Sequence, residues 1–272
     1  MHKISKNKTS YLGSVKEEIL FKKEGAIAYI TINREKALNA LNTGIMMRLD
    51  QIFSELERED EIIVVVITGA GQKAFVAGAD IKEIKEAGDG RSEFIRKGQK
   101  ILSKIRNASK VVIAAINGYA LGGGCELAMV CDIRIASENA KFGFPEVKLG
   151  LMAGYGGTQL LPRLIGSGRA KYVMFTGEML TAAEAYQLGL VEKVCRSEEL
   201  MEEVNTLAKK ISSNGPLAIR ACKGAINGGI QLPLDHALKL ELQEYDKVAR
   251  SKDAEEGIVA FLERKTPSFR GK

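Results

Sequence analysis

Apolar and polar positions along the chain form two kinds of pattern, and the first is a set of uninterrupted apolar runs. These occur at residues 62–68 and 111–116, with a shorter one at 132–136. Such runs are typical of strands buried on both faces of a sheet. Residues 19–22 and 26–32 predict a further pair of strands near the start of the chain, the second with regular alternation.

The second pattern is helical periodicity between these strands. Apolar residues recur at helical spacing from a cap at Asn42-Thr43 to about Glu59, and again near residues 91–105 and 122–130. Repeated alternation of strand and helix predicts a parallel sheet with helical crossovers.

From about residue 157 onwards the pattern is almost entirely helical. It predicts helices near residues 159–165, 169–176, 182–188, 198–212, 216–227, 234–250 and 252–265. The Ser-Ser-Asn-Gly-Pro break at 212–216 separates an α/β core (19–212) from a helical region (213–272). Residues 1–18, before the first predicted strand, are expected to form a tail. Since these helices have no sheet of their own to cover, we expect a homo-oligomer.

Composition narrows the classes of function. No run approaches the roughly 20 apolar residues of a membrane helix, so no membrane partner is expected. The chain has no tryptophan and few other aromatic residues, which argues against a base-stacking nucleic-acid surface. A net charge of +6 favours an anionic partner such as a phosphorylated small molecule, and a basic surface without function explains it equally well.

Cysteine and histidine are most useful for what they exclude. The four cysteines show no Cys-x-x-Cys spacing, so we expect neither a zinc site nor disulfides, as in a reducing cytoplasm. Only His2 and His236 are present, which excludes a histidine-rich metal site. A hydrolase triad would need His236, and no Gly-x-Ser-x-Gly motif accompanies it. Carboxylates, lysines or tyrosines therefore remain for acid–base chemistry.

A glycine motif at residues 69–74 matches the dinucleotide fingerprint Gly-x-Gly-x-x-Ala. The fingerprint requires a helix to begin there, so that the pyrophosphate binds at its N-terminus. Here the extended, glycine-interrupted segment 75–80 follows. We therefore do not expect a nucleotide site at this turn.

Three glycines precede Glu126 at the start of a predicted helix, where amide groups lack partners. Gly123 and Glu126 are three residues apart, so an oxyanion bound at the Gly123 amide would lie near the carboxylate. Close helix packing is the alternative explanation for the glycines. Ala77, a small residue before Gly78, is expected to expose a second amide, unless residues 75–80 form an ordinary loop. Two acids and two free amides suit an acyl compound whose oxygen becomes negative.

Glu146 is the second acid, and it follows Pro145, which restricts the backbone before it. A further glycine-rich loop at residues 150–158 comes directly after it. Together with 75–80 and 117–126, these segments resemble the enoyl-CoA hydratase (crotonase) family in order and spacing, over a match from about residue 19 to the C-terminus. The resemblance implies a crotonase-like α/β fold, a ββα spiral with a helical C-terminal trimerisation region, in trimers or dimers of trimers.

The resemblance also implies roles for particular residues. Glu126 and Glu146 match the two catalytic glutamates, with Glu126 on the water and Glu146 on the C2 proton. Ala77 and Gly123 match the oxyanion-hole amides. The positions that match substrate- and coenzyme A-binding segments are Lys36, Ala37, Leu38, Ala79, Asp80, Ile81, Gly154, Phe261 and Lys265.

The function that this resemblance implies is an enoyl-CoA hydratase of short- to medium-chain substrates, in fatty acid β-oxidation, with a coenzyme A thioester as substrate and no metal or other cofactor. One alternative is another reaction on the same scaffold, such as isomerisation of an unusual acyl-CoA or hydration of a cyclic one. The other is a non-catalytic acyl-CoA- or RNA-binding member. The presence of both glutamates favours hydration, because isomerase members of the family generally lack the acid at the Glu126 position.

Overall fold

The computed structural model describes residues 18–272, which form an α/β unit followed by a helical region. A sheet of six strands has the order β1-β2-β3-β5-β7-β10, and a second sheet of four short strands has the order β4-β6-β8-β9. The strands are β1 (Ile19–Glu24), β2 (Ile27–Ile32), β3 (Val64–Gly69), β4 (Ala74–Val76), β5 (Val111–Ile116), β6 (Tyr119–Leu121), β7 (Ile133–Ser137), β8 (Lys141–Gly143), β9 (Met179–Thr181) and β10 (Lys193–Cys195).

Eleven α-helices accompany these strands within the same residues. They are α1 (Thr43–Leu56), α2 (Ile81–Glu86), α3 (Arg91–Arg106), α4 (Gly123–Val130), α5 (Gly157–Ile165), α6 (Ser167–Thr176), α7 (Ala182–Leu188), α8 (Leu200–Ser212), α9 (Pro216–Gly229), α10 (Leu234–Ala249) and α11 (Lys252–Leu262). The predicted tail lies outside the described residues except for Glu18. Within the described residues, no helix combines the length and the apolar character that a membrane crossing requires.

The larger sheet confirms the parallel arrangement that the apolar runs predict. β2, β3, β5, β7 and β10 pair in parallel, and only β1 is antiparallel to its neighbour. Alternate residues of β3 and β5 enter two separate hydrophobic clusters, so the sheet is buried on both faces. Helices α1 and α3 cover one face and α8 covers the other.

The smaller sheet is not evident from the sequence, yet it builds the candidate site. β4, β6 and β8 pair in parallel, and each contains only three residues. Their carboxyl ends therefore lie at one edge, and each strand is followed directly by a segment singled out above: residues 77–80, 122–126 and 144–146. Parallel strands with adjacent carboxyl ends commonly place ligand-binding loops together.

At the turn after β3 the chain passes into strand β4 and not into a helix. The structure therefore agrees with the prediction that residues 69–74 are not a dinucleotide fingerprint. Further along, α8 ends at Ser212 and α9 begins at Pro216, as the glycine–proline break predicts. Helices α9 and α10 contain no buried residue, although α9 carries one leucine and two isoleucines and α10 carries four leucines.

Candidate active site

Glu126 lies in the first turn of α4 and is almost completely buried, with 1% of its surface exposed. Its Oε1 atom accepts two hydrogen bonds of 2.7 Å, from the amides of Tyr155 and Gly157. Gly122 begins the helix with a φ of +49°, a conformation that residues with a side chain rarely adopt. The turn and the two amides therefore fix the carboxylate in one orientation.

Glu146 approaches the same place from the short 3-10 helix Pro145–Leu149, which follows β8. A side-chain carbon built on Gly122 would collide with its Oε1 atom, so glycine is required for the carboxylate to lie there. Oε2 of Glu146 is buried and has no hydrogen-bond partner among the described residues. An unpaired buried carboxylate oxygen is costly, which is typical of a group that binds substrate or water.

Burial, together with the nearby charge of Glu146, raises the pKa of Glu126 to about 7, although the amides of Gly157 and Tyr155 act in the opposite direction. Burial also raises the pKa of Glu146 above its ordinary value. Two interacting carboxyl groups with raised pKa values can hold one proton between them near neutral pH. The pair can therefore contain one acid and one base together.

The amide of Gly123 is the first of α4, where a helix provides no partner for it. The amide of Ala79 is close by, since a side-chain carbon built on Gly123 would lie 3.3 Å from the Ala79 nitrogen. On either side of Ala79, the Gly78 carbonyl accepts a 2.8 Å hydrogen bond from the Leu41 amide, and the Asp80 amide donates one of 2.8 Å to the Leu41 carbonyl. The Ala79 amide between them has no partner among the described residues and faces away from Leu41.

The prediction that Ala77 supplies the second oxyanion donor is wrong. Its amide donates a 3.0 Å hydrogen bond to the carbonyl of Leu38, so it is not free to bind an oxyanion. Gly78, with a φ of +130°, turns the chain between the two alanines. We therefore assign the donor position to Ala79, which the sequence placed among the coenzyme A contacts.

Both glutamates, Ala79 and Gly123 line one cavity of about 640 Å³. Its walls come from α2, α3 and the loop 149–159, and they are mostly apolar. Met152, with 67% of its surface exposed, and Leu149 lie on the solvent side, whereas Glu126 and Tyr155 are buried. The cavity therefore runs from an exposed mouth to a buried floor at the carboxylates.

The other predicted binding residues fall into two groups. Ile81 and Gly154 line the cavity. The cavity lining does not include the predicted residues Lys36, Ala37, Leu38, Asp80, Phe261 and Lys265. Asp80 instead caps α2 and pairs with Arg34 at 2.7 Å. Phe261 lines a separate groove of the helical region, so within one chain it does not meet the glutamates.

Sequence reasoning missed Tyr155 and the α3 residues Ile95 and Gln99, all of which line the cavity. Tyr155 lies inside the glycine loop that the sequence singled out, between Gly154 and Gly156. Its position within that loop was the available signal. Helix α3 gave none, because only the fold turns Ile95 and Gln99 towards the glutamates. Elsewhere in the described chain, no cluster of three or more potential metal ligands occurs.

Comparison with known proteins agrees with this geometry. Residues 22–272 match the sequence profile of the enoyl-CoA hydratase/isomerase family. The chain is 47% identical over 257 residues to the short-chain-enoyl-CoA hydratase of Clostridium acetobutylicum, a match that covers 93% of this chain and 98% of that protein. It is 46% identical over 255 residues to the crotonyl-CoA hydratase of Syntrophomonas wolfei, with coverage of 93% and 98%.

Among solved structures, an enoyl-CoA hydratase from Bacillus anthracis superposes with a TM-score of 0.91 at 42% identity, covering 94% of this chain and all of that one. The fold and the paired carboxylates thus define a crotonase-fold protein, as the sequence predicted. This chain belongs to the enoyl-CoA hydratase/isomerase family.

Proposed function

We propose that this protein is an enoyl-CoA hydratase, which adds water reversibly across the 2,3 double bond of a 2-enoyl-CoA thioester to give a 3-hydroxyacyl-CoA. The observation that carries the proposal is the meeting of Glu126 and Glu146 at one cavity with the free amides of Ala79 and Gly123. Membership of the family and the printed activities of its relatives support it.

The two amides act on the thioester carbonyl oxygen. When water attacks C3, electrons move through C2 to that oxygen, which becomes an enolate. Donors already aimed at the oxygen stabilise this charge without reorganisation, at roughly 2.7–4 kcal/mol for a single donor. The N-terminal dipole of α4 adds positive potential at the same point.

The glutamates move the protons. In our assignment, ionised Glu126 takes a proton from the attacking water, and protonated Glu146 delivers a proton to C2. Glu126 suits the first role because the Tyr155 and Gly157 amides hold its Oε1 atom while the carboxyl group faces the cavity. Glu146 suits the second because its buried Oε2 atom has no hydrogen-bond partner among the described residues and is therefore available to a substrate in the cavity. After turnover, exchange with solvent returns the proton from Glu126 to Glu146.

The substrate enters from the exposed side of the cavity. Coenzyme A is large and charged, so it occupies the mouth, where Arg91 and Ile81 lie, and the acyl group points to the floor. The reaction moves only protons and water, and we therefore propose that it needs no metal or redox cofactor. Because all four cysteines are free thiols, we further propose a cytoplasmic location.

The proposed function is tested with a panel of acyl-CoA esters. Purified protein is mixed with 2-enoyl-CoA and 3-enoyl-CoA esters, the loss of conjugated enoyl absorbance is followed, and products are identified by mass. We expect 2-enoyl esters to gain one water. Conversion of 3-enoyl to 2-enoyl esters without hydration would make the protein an isomerase, and no turnover of any ester would favour a binding protein.

We also propose that the protein is a homo-oligomer, a trimer or a dimer of trimers. Helix α10 carries Leu234, Leu238 and Leu242 at intervals of four residues, and all three are exposed in the single chain. On α11, 82% of the surface of Phe261 is exposed. Residues four apart share one helix face, so α10 presents an apolar stripe that a second subunit would cover.

A further inference from the structure

Tyr155 is a buried aromatic residue at the floor of the cavity, and only 4% of its surface is exposed. Its amide holds Glu126, while one edge of its ring faces the oxyanion-hole glycine. A side-chain carbon on Gly123 would lie 3.3 Å from the Cδ2 atom of the ring. The ring therefore adjoins both groups that hold the reacting part of the substrate.

The opposite edge of the ring depends on a glycine of helix α3. A side-chain carbon on Gly98 would lie 2.7 Å from both Cδ1 and Cζ of Tyr155, closer than two carbon atoms can pack. The ring thus spans the space between α3 and α4, and Gly98 makes that position available. The hydroxyl group has no hydrogen-bond partner among the described residues.

The direction of the cavity shows which part of a substrate meets this ring. Coenzyme A has to remain at the exposed mouth of the cavity, so the acyl chain extends towards the buried side. The Ala79 and Gly123 amides fix the thioester carbonyl, and the two glutamates fix C2 and C3. Carbons beyond C3 therefore reach the buried floor of the cavity, which the large aromatic ring of Tyr155 lines.

We propose that the Tyr155 ring, held in place by Gly98, closes the acyl end of the cavity and restricts the enzyme to short acyl chains. This inference rests on the proposed hydratase function. It assigns a specificity-determining role to the ring itself, separate from the role of the Tyr155 amide on Glu126. Shape alone sets the limit, so the hydroxyl group is not required.

The first test compares kcat/KM for trans-2-enoyl-CoA esters of four, six, eight and ten carbons. For Tyr155→Ala we expect the ratio of the eight-carbon to the four-carbon value to rise about tenfold or more, because the added methylene groups then enter apolar space that the ring occupies in the wild type. Tyr155→Phe keeps the ring and should keep the wild-type ratio. Tyr155→Leu serves in place of alanine if that variant does not fold.

The second test uses the glycine. Gly98→Ala should push the ring towards Gly123 and lower kcat/KM for crotonyl-CoA about tenfold. In the Tyr155→Ala background the same substitution should change kcat/KM little, since the effects of substitutions at contacting residues are not additive. Equal losses in both backgrounds would overturn the proposal.

An unchanged chain-length ratio in Tyr155→Ala, with all esters slowed alike, would overturn it too, since that is the pattern of a merely structural residue. A ratio shifted as strongly by Tyr155→Phe would have the same consequence. Failure of the wild-type protein to hydrate any ester would instead refute the proposed function, so the two failures are distinguishable.

Discussion

At the scale of single residues, the site depends on how Glu126 is buried. The carboxyl group lies in the protein interior, where its charged form is disfavoured, and two amides hold one of its oxygen atoms. The pKa of about 7 is the balance of these effects and the charge of Glu146. A general base is most effective when its pKa is near the working pH, so this balance suits the proposed role.

The raised pKa predicts the pH dependence of activity. Glu126 has to be ionised to accept a proton from water, and its ionised fraction increases as the pH rises through about 7. On the acid side, kcat/KM for crotonyl-CoA should therefore fall with an apparent pKa of about 7. A profile of kcat/KM from pH 5 to pH 9 measures it. An acid limb near 4.5, the ordinary glutamate value, would contradict this account of the free enzyme.

The same burial predicts a pH-dependent effect on stability. Because the pKa of Glu126 is raised on folding, the proton on this carboxyl group stabilises the folded state. This stabilisation is fully present below pH 4.5 and is lost as the pH rises through about 7. Glu126→Gln keeps an acceptor for both amides and never carries the charge. At pH 8 this variant should be more stable than the wild type, by on the order of 3 kcal/mol.

Thermal or urea unfolding at pH 8 and at pH 4.5 measures that difference. The stability advantage of Glu126→Gln should shrink as the pH falls. A variant that is less stable than the wild type at pH 8 would show that the buried charge is well compensated in the fold.

The sequence reveals the acids of this site better than its amides. Glycines next to Glu126 and a proline next to Glu146 are local signals, and both residues do line the cavity. Ala77 and Ala79 flank Gly78 symmetrically and are the same residue type. What separates them is a hydrogen bond from Ala77 to Leu38, a contact between distant parts of the chain that no local pattern contains.

At the scale of elements, the proposed oxyanion hole lies where the segment after β4 meets the start of α4. Gly123 is the first residue of that helix, a position where proline is well tolerated. Gly123→Pro should therefore keep the helix while it removes one donor. We expect kcat to fall at least about 10²–10³-fold, the usual cost of one such donor.

Gly123→Ala is the matched control, because it adds a carbon atom near the Ala79 amide but keeps the donor. Rates of crotonyl-CoA hydration for the two variants, with circular dichroism to check folding, separate loss of the donor from added volume. If Gly123→Pro is folded and as active as Gly123→Ala, the Gly123 amide is not an oxyanion donor.

Elements with long periodic patterns are predictable from this sequence, and very short ones are not. β5 and α7 begin and end at the predicted residues, and α1 begins at the predicted Asn42 cap. The strands of the smaller sheet contain three residues each, too few to show a period. Their pairing is tertiary, so the edge that gathers the site could not be seen in the sequence.

At the scale of the whole molecule, the apolar stripe of α10 predicts self-association. We expect sedimentation as a trimer or a dimer of trimers, and a single species at the chain mass of 29.6 kDa would contradict this. Leu242→Glu places a charge in the stripe and should weaken assembly. Gln243→Glu adds the same charge beside it and should leave assembly unchanged.

The central claim is that Glu146 takes part in proton transfer during hydration of an enoyl thioester. The most direct measurement is the initial rate of crotonyl-CoA hydration by Glu146→Gln, with Glu61→Gln as a control at an exposed acid before β3. We predict that Glu146→Gln lowers kcat about 10²–10⁴-fold with the fold retained, the usual contribution of a general acid, while Glu61→Gln has no effect. Hydration at the wild-type rate by a folded Glu146→Gln protein would contradict the account.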